Sequence, residues 1–265
     1  DARTTETANL ALIQEWIETY GEDSDFVRVR VKGLPPRAAE LQYIDVERIW
    51  AAQKREVFTL PGEPLIAGVD VSGGGDSWNV VRFRRGADAR SIPPIRIPGE
   101  KTRNDRTAFL TILANLLAER DPLRKVDMMF IDTAFGGPYV VGLKALGYDN
   151  VMEVNGGALW PPDPYAYNYR AYMWSAMKEW LRTGAIPARD EILEHQLGVP
   201  GYHINRQQLL VIESKESIAT RNEASPDDAD ALAYTFAAPV APSAEVRRAQ
   251  QARDESVPRR HWQGR

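Results

Sequence analysis

Short apolar runs separated by Gly- and Pro-rich turns organise the middle of the chain. Leu65–Val71 (LIAGVDV) is an almost continuous apolar run and reads as a buried strand. Gly73-Gly74-Gly75-Asp76 follows as a turn, and Trp78–Arg84 reads as a second strand. Gly86 and Asp88 mark another turn. Residues 90–97 give a third strand, ended by Pro98-Gly99. Helical spacing then takes over at 104–120, where Phe109, Ile112, Leu113, Leu116 and Leu117 share one side. Val126–Asp132 is a fourth strand, Pro138–Leu146 a short helix stopped by Gly147, and Val151–Val154 a fifth strand.

Three hairpin-linked strands are thus followed by helix, strand, helix, strand. Short helical crossovers require parallel neighbours. The expected fold class is α/β: a ribonuclease-H-like mixed sheet, three antiparallel strands and then parallel ones, flanked by helices.

The rest of the chain is read around this unit. Residues 4–20 are expected to be helical, Phe26–Lys32 (FVRVRVK) alternates like a strand, and 43–56 suit an amphipathic helix. Residues 1–60 are taken as an arm or linker leading into the domain. After a Gly/Pro-rich loop at 155–165, residues 166–183 form a long helix whose Tyr169, Met173, Met177 and Trp180 make a core stripe. A short helix at 190–197 and a hairpin around Asn205–Gln208 lead to a last helix at 226–237. The domain is expected to span 61–238, and 239–265 to be a mobile Arg-rich tail.

Composition narrows the chemistry. The chain has no cysteine, which excludes thiolate catalysis and Cys-based zinc sites, and its three scattered histidines show no metal-ligand spacing. Any metal must be held by carboxylates, which favours Mg²⁺ or Mn²⁺. The net charge of −4 runs mildly against nucleic-acid binding, so DNA contact has to come from a local patch or a partner. No segment has the layout of a signal peptide or a membrane span, so a soluble, non-secreted protein with no membrane partner is expected.

Three acidic features occupy informative positions. Asp70 lies near the end of the first strand and Asp132 ends the fourth. In the proposed order these strands are neighbours, and ligands bind outside the carboxyl ends of parallel strands. The third is Ser225-Pro226-Asp227-Asp228-Ala229-Asp230, opening a helix. Asp227 and Asp230 share a face, while Asp228 is rotated about 100° away. Each acid also has a structural reading, as a turn residue or helix cap. Together they suit phosphodiester cleavage, in which two divalent ions bridged by carboxylates act on the attacking water and the leaving oxygen.

With these residues the chain resembles the C-terminal nuclease domain of tailed-phage large terminases, which package and cut viral DNA. The likeness spans about residues 20–238. It is carried by Gly21–Val31, by Gly68-Val69-Asp70-Val71-Ser72-Gly73-Gly74-Gly75-Asp76, by Phe130-Ile131-Asp132, by Glu213-Ser214-Lys215-Glu216 and by Ser225–Leu232. The resemblance implies an endonuclease that cleaves concatemeric double-stranded DNA with two Mg²⁺ or Mn²⁺ ions and little sequence preference. By position it implies that Asp70 and Asp132 are metal ligands, with Asp227 the first choice and Asp230 the second for a third ligand. Asp76, Lys215 and Arg221 are possible auxiliaries. The implied partners are a terminase ATPase domain, a small terminase subunit and a portal, and the implied location is the host cytoplasm. The sequence contains no Gly-Lys dipeptide and so no G-x-x-x-x-G-K-[ST] phosphate loop; it is expected to be the cutting part without the ATPase. Two other readings remain open at this point: an actin- or sugar-kinase-like ATPase, and a non-catalytic DNA-binding or assembly module.

Overall fold

The computed structural model describes residues 3, 9–20, 22, 27, 31–34, 42–60, 62–74, 77–103, 105–159 and 161–241. Asp76 and the tail beyond 241 lie outside the described residues. A five-stranded sheet is built from β1 (Leu65–Asp70), β2 (Trp78–Arg85), β3 (Ile95–Pro98), β4 (Met128–Asp132) and β5 (Val151–Val154). Its order is β3-β2-β1-β4-β5. The β1–β2 and β2–β3 pairs are antiparallel, and the β1–β4 and β4–β5 pairs are parallel. This is the expected ribonuclease-H-like arrangement.

Helices are α1 (Leu10–Tyr20), α2 (Val46–Lys54), α3 (Gly99–Arg103), α4 (Thr107–Ala118), α5 (Thr133–Ala145), α6 (Tyr169–Trp180), α7 (Glu191–Gly198), α8 (Lys215–Thr220) and α9 (Asp227–Tyr234). The hairpin β6 (Tyr202–Ile204) and β7 (Leu210–Ile212) is present as expected. No helix among the described residues is long and apolar enough to cross a membrane.

Strand parity decides which face each residue joins. Leu65, Ala67, Val69 and Val71 pack with Phe109, Leu113, Tyr139 and Leu143, the layer of α4 and α5. Ile66 and Phe130 pack the other way, with Met173, Trp174, Ala229 and Leu232 of α6 and α9. Gly68 and Asp70 share the parity of Ile66, and Asp132 that of Phe130. These carboxylates therefore emerge on the α9 side. All six residues of β1 are buried, as its unbroken apolar run requires.

Glycine at 68 sets how near α9 can come. A Cβ there would stand 1.9 Å from the carbonyl oxygen of Ala231. The helix backbone rests directly on the strand, with no side chain between them.

Several expectations are corrected. Phe26–Lys32 is not a strand where it is described: Val27 is helical, and the amides of Val31 and Lys32 both donate to its carbonyl at 3.0 Å. Val27 and Val31 pack together with Ile13. A V-R-V-R-V run places valines at i and i+4 as well as i and i+2, and here burial selects the helical period. The third strand begins at Ile95, not 90, because Pro93-Pro94 lacks amide donors and Arg90 turns back onto Asp88. The helix expected to start at Pro138 starts at Thr133, because Asp132 caps it through the Ala134 amide. Pro138 is carried inside, at the cost of one helical hydrogen bond. The short helices α3 and α8 were not anticipated. Tyr43, Ile44, Ile49 and Ala52 belong to the core on the α6 and α9 side, so the packed unit includes residues on both sides of the expected boundary at 61.

Substituting Gly68→Ala must lift α9 from β1. We expect a loss of at least about 2 kcal/mol in urea unfolding with an unchanged m-value. Wild-type stability in this variant would show that the helix is not seated on the strand backbone.

Candidate active site

At the carboxyl ends of β1 and β4 lies a cleft of about 650 Å³, lined among others by Asp70, Asp132, Arg170, Lys215, Asp227 and Asp230. Four of the acids singled out in the sequence meet in it. Asp70 arrives from the end of β1 and Asp132 from the end of β4; Asp227 and Asp230 project from the first turn of α9.

The charge at the centre is the ammonium of Lys215. Its Nζ stands 2.7 Å from Asp70 Oδ2, 3.2 Å from Asp227 Oδ1 and 3.4 Å from Asp230 Oδ2. Burial works against its charge, but the surrounding Asp70, Asp230 and Asp227 outweigh that and raise its pKa above the ordinary lysine value. Burial pushes the Asp70 carboxyl well above its usual range, opposed by Lys215 and reinforced by Asp227 and Asp230. Burial also raises Asp132, which keeps a hydrogen bond from the Ala134 amide at 3.0 Å.

Asp230 is held differently. Burial opposes its ionisation, yet Arg170 and Lys215 prevail and keep it below the usual range. Arg170 Nε donates to it at 3.0 Å and Trp174 Nε1 at 2.7 Å. Both donors come from α6, one helical turn apart, and neither was singled out in the sequence. The available signal was the i, i+4 spacing of Arg170 and Trp174 in a helix otherwise read as core. Asp227 is less encumbered: Ser225 Oγ and Lys215 donate to Oδ1, and the Trp78 amide donates to Oδ2 at 3.2 Å.

Asp228 faces away, as its helical angle requires. It enters a buried network with Arg82, Arg96 and Asp190. Arg82 Nε donates to Asp228 at 2.7 Å and its Nη1 pairs with Asp190 at 2.6 Å; Arg96 Nη2 reaches Asp190 at 3.0 Å. Pro226 gives α9 no side-chain cap. Gln196 of α7 supplies one instead, its Oε1 accepting from the Asp228 and Ala229 amides at 2.6 and 3.3 Å. The face that Asp228 takes thus fixes the face left to Asp227 and Asp230.

Of the auxiliary candidates, Lys215 is in the cleft, but Arg221 is not. Arg221 forks onto Glu213 at 3.0 and 2.7 Å. Glu213 also accepts from the Gly201 amide at 2.9 Å, and its carbonyl accepts from Arg170 at 2.6 Å. Arg221 therefore steadies the residue two positions before Lys215 and does not reach the acids. Ser214 caps α8, placing Lys215 in its first turn.

Solved structures share this architecture. The nuclease domain of the large terminase subunit of bacterial virus Sf6 matches with a TM-score of 0.58 at 14% identity, over 74% of this chain and 99% of that one. A point-mutant form of that domain solved with manganese matches at 0.54 with 16% identity, over 74% and 99%. The HK97 bacteriophage large terminase matches at 0.51 with 12% identity, over 75% of this chain and 43% of that one. The fold is that of a large-terminase nuclease domain. No protein-family profile and no curated protein sequence matches the chain. The likeness therefore lives in backbone arrangement, and the side chains carry whatever is said about chemistry.

Among the described residues, no three His, Cys, Asp or Glu side chains stand together as a preformed metal cage. The donor set nonetheless fits a hard divalent cation. Three carboxylates already converge on a single positive charge, the ammonium of a lysine side chain that is 38% exposed. A cation drawn to the same oxygens competes with that ammonium.

The two kinds of acid differ in what their removal costs without metal. Asp228→Ala strips a buried partner from Arg82 and is expected to lose about 3 kcal/mol or more. Asp132→Ala removes a cap and is expected to lose about 1 kcal/mol. Thermal and urea unfolding in EDTA check this. Equal losses would mean that Asp132 is as structural as Asp228.

Proposed function

We propose that this chain is a metal-dependent endonuclease that hydrolyses phosphodiester bonds of double-stranded DNA, as the cutting module of a phage packaging terminase. The observation that carries the reading is the convergence of Asp70, Asp227 and Asp230 on one lysine ammonium, in a cleft that Asp132 also lines. The fold shared with terminase nuclease domains supports it, as does the manganese bound by the Sf6 domain.

Asp70, Asp132 and Asp227 would hold the cations; Asp230, fixed by Arg170 and Trp174, is the fourth acid behind them. Two Mg²⁺ or Mn²⁺ ions bound there supply activation of the attacking water and charge stabilisation at the leaving 3′ oxygen. The protein's own part is placement. Burial of Asp70 and Asp230 reduces the screening of their own charges by water, and Asp132 is aimed by its cap on α5. Lys215 holds the acids together before cations arrive and leaves a positive charge beside the phosphate afterwards. Recognition would run through backbone phosphates, with little sequence preference. The ATPase domain, small terminase subunit and portal are the partners that this role requires.

Incubating supercoiled plasmid with the protein tests the proposal. Linear and degraded products are expected with Mn²⁺ or Mg²⁺ and none with EDTA. Asp70→Ala, Asp132→Ala and Asp227→Ala should each lower the rate at least about 100-fold. Asp230→Asn should additionally lower the melting temperature, because Arg170 and Trp174 lose their acceptor's charge. Intact plasmid with either metal, or full cutting by the Asp70→Ala and Asp132→Ala variants, would remove the nuclease reading.

A further inference from the structure

Beside the acidic cleft stands a large apolar side chain that the core does not use. Phe135, in the first turn of α5, lines the cleft and is 54% exposed. Its ring packs against Gly73: a Cβ at that glycine would fall 2.5 Å from the ring's Cζ. Residue 73 is thus kept bare beneath the phenyl group. Such a ring at the mouth of a polar cleft leaves apolar surface in water that a bound partner would cover.

The same corner carries arginine. The stem of Arg103 lies over Gly74, which is next to Gly73, with Cδ 3.4 Å from where a Cβ would be. Arg106 lies within electrostatic reach of the Tyr139 hydroxyl, and Tyr139 is one helical turn from Phe135 on α5. Next to Arg103, buried Thr102 accepts from the Asn79 side chain, whose oxygen in turn accepts from the Ser72 amide. The Gly99 amide donates to the Ser77 carbonyl at 2.8 Å. Arg103, at the end of α3, is therefore mounted beside the β1–β2 turn that walls the cleft, and Arg106 stands three residues further along the chain. Each is exposed, and neither guanidinium has an ion-pair partner among the described residues. Of the neighbouring acids, Asp105 is turned onto the Thr107 amide at 2.8 Å and Glu100 is exposed. Arg82, Arg96 and Arg170, by contrast, are all committed to buried carboxylates.

We infer that Phe135, Arg103 and Arg106 form the rim that holds duplex DNA at the cleft. The guanidinium groups take neighbouring phosphates of the strand to be cut, and the phenyl ring packs on the deoxyribose facing Gly73. This rests on the nuclease reading for its choice of partner. It also answers an electrostatic difficulty: a chain of net charge −4 with an acidic cleft needs local cations to bring a polyanion to it.

Binding of a fluorescein-labelled 30-base-pair duplex, followed by anisotropy in EDTA across a salt series, tests the rim without cleavage. Arg103→Ala/Arg106→Ala should weaken binding about tenfold near 0.1 M salt and reduce the slope of log K against log[salt] by about 2. Phe135→Ala should weaken binding about fivefold with the slope unchanged, because it removes contact area and no charge. Gly73→Ala, which displaces the ring, should reproduce the Phe135→Ala result. An unaltered slope in the double arginine variant, or wild-type affinity in Phe135→Ala, overturns the proposal. Because no metal is present, this outcome is separate from plasmid cutting. An inactive wild type whose rim variants still lose duplex affinity would remove the nuclease reading and keep the rim.

Discussion

The seating of α9 on the bare backbone at Gly68 is the constraint from which the site follows. Only a residue without a side chain lets the Ala231 carbonyl come that near to β1. With the helix drawn in, its first turn reaches the end of the strand, and Asp227 and Asp230 stand beside Asp70. A larger residue at 68 would separate acids that are 157 or more positions apart in sequence. Their meeting depends on one contact distance between a helix and a strand.

Once the helix is seated, its rotation has to be set, and charge does this. Asp228 is drawn toward Arg82 and Arg96, and Gln196 closes the unsatisfied amides of the first turn. Burying this many charges is costly unless each is paired, and a helix turned by one residue would either leave Arg82 and Arg96 facing Ala229 or draw Asp227 out of the cleft. The pairs therefore specify orientation. The opposite face of the same turn brings Asp227 and Asp230 to Lys215, which also pairs with Asp70 of β1. One short helix thus carries both a structural and a chemical charge cluster, separated by its helical period.

How legible this was depends on the range of the interaction involved. The strand order followed from runs such as Leu65–Val71 and Val126–Asp132, whose periodicity is local. Asp227 and Asp230 sharing a face, with Asp228 turned aside, followed from helix geometry alone. Where two periods fit equally well, the sequence misled. Val27 and Val31 suit both a strand and a helix, and the choice went to the packing with Ile13. Pro138 suggested a helix start that the Asp132 cap overrode. Arg170, Trp174 and Gln196 passed unnoticed because their roles come from residues more than thirty positions away.

The sequence by itself determined the kinds and order of the sheet's five strands, which acids stand at strand ends and at the start of the last helix, and the lack of any cysteine. These depend on residue type and on spacing within a few turns of chain. Only the tertiary structure decided that Lys215 is the shared counter-charge, that Arg221 serves Glu213 and not the acids, and that Phe135 and its neighbouring arginines border the cleft. Each of these is set by distances of a few ångströms between segments far apart in the chain. Electrostatic and packing energies change steeply over that range, and local periodicity carries no information about it.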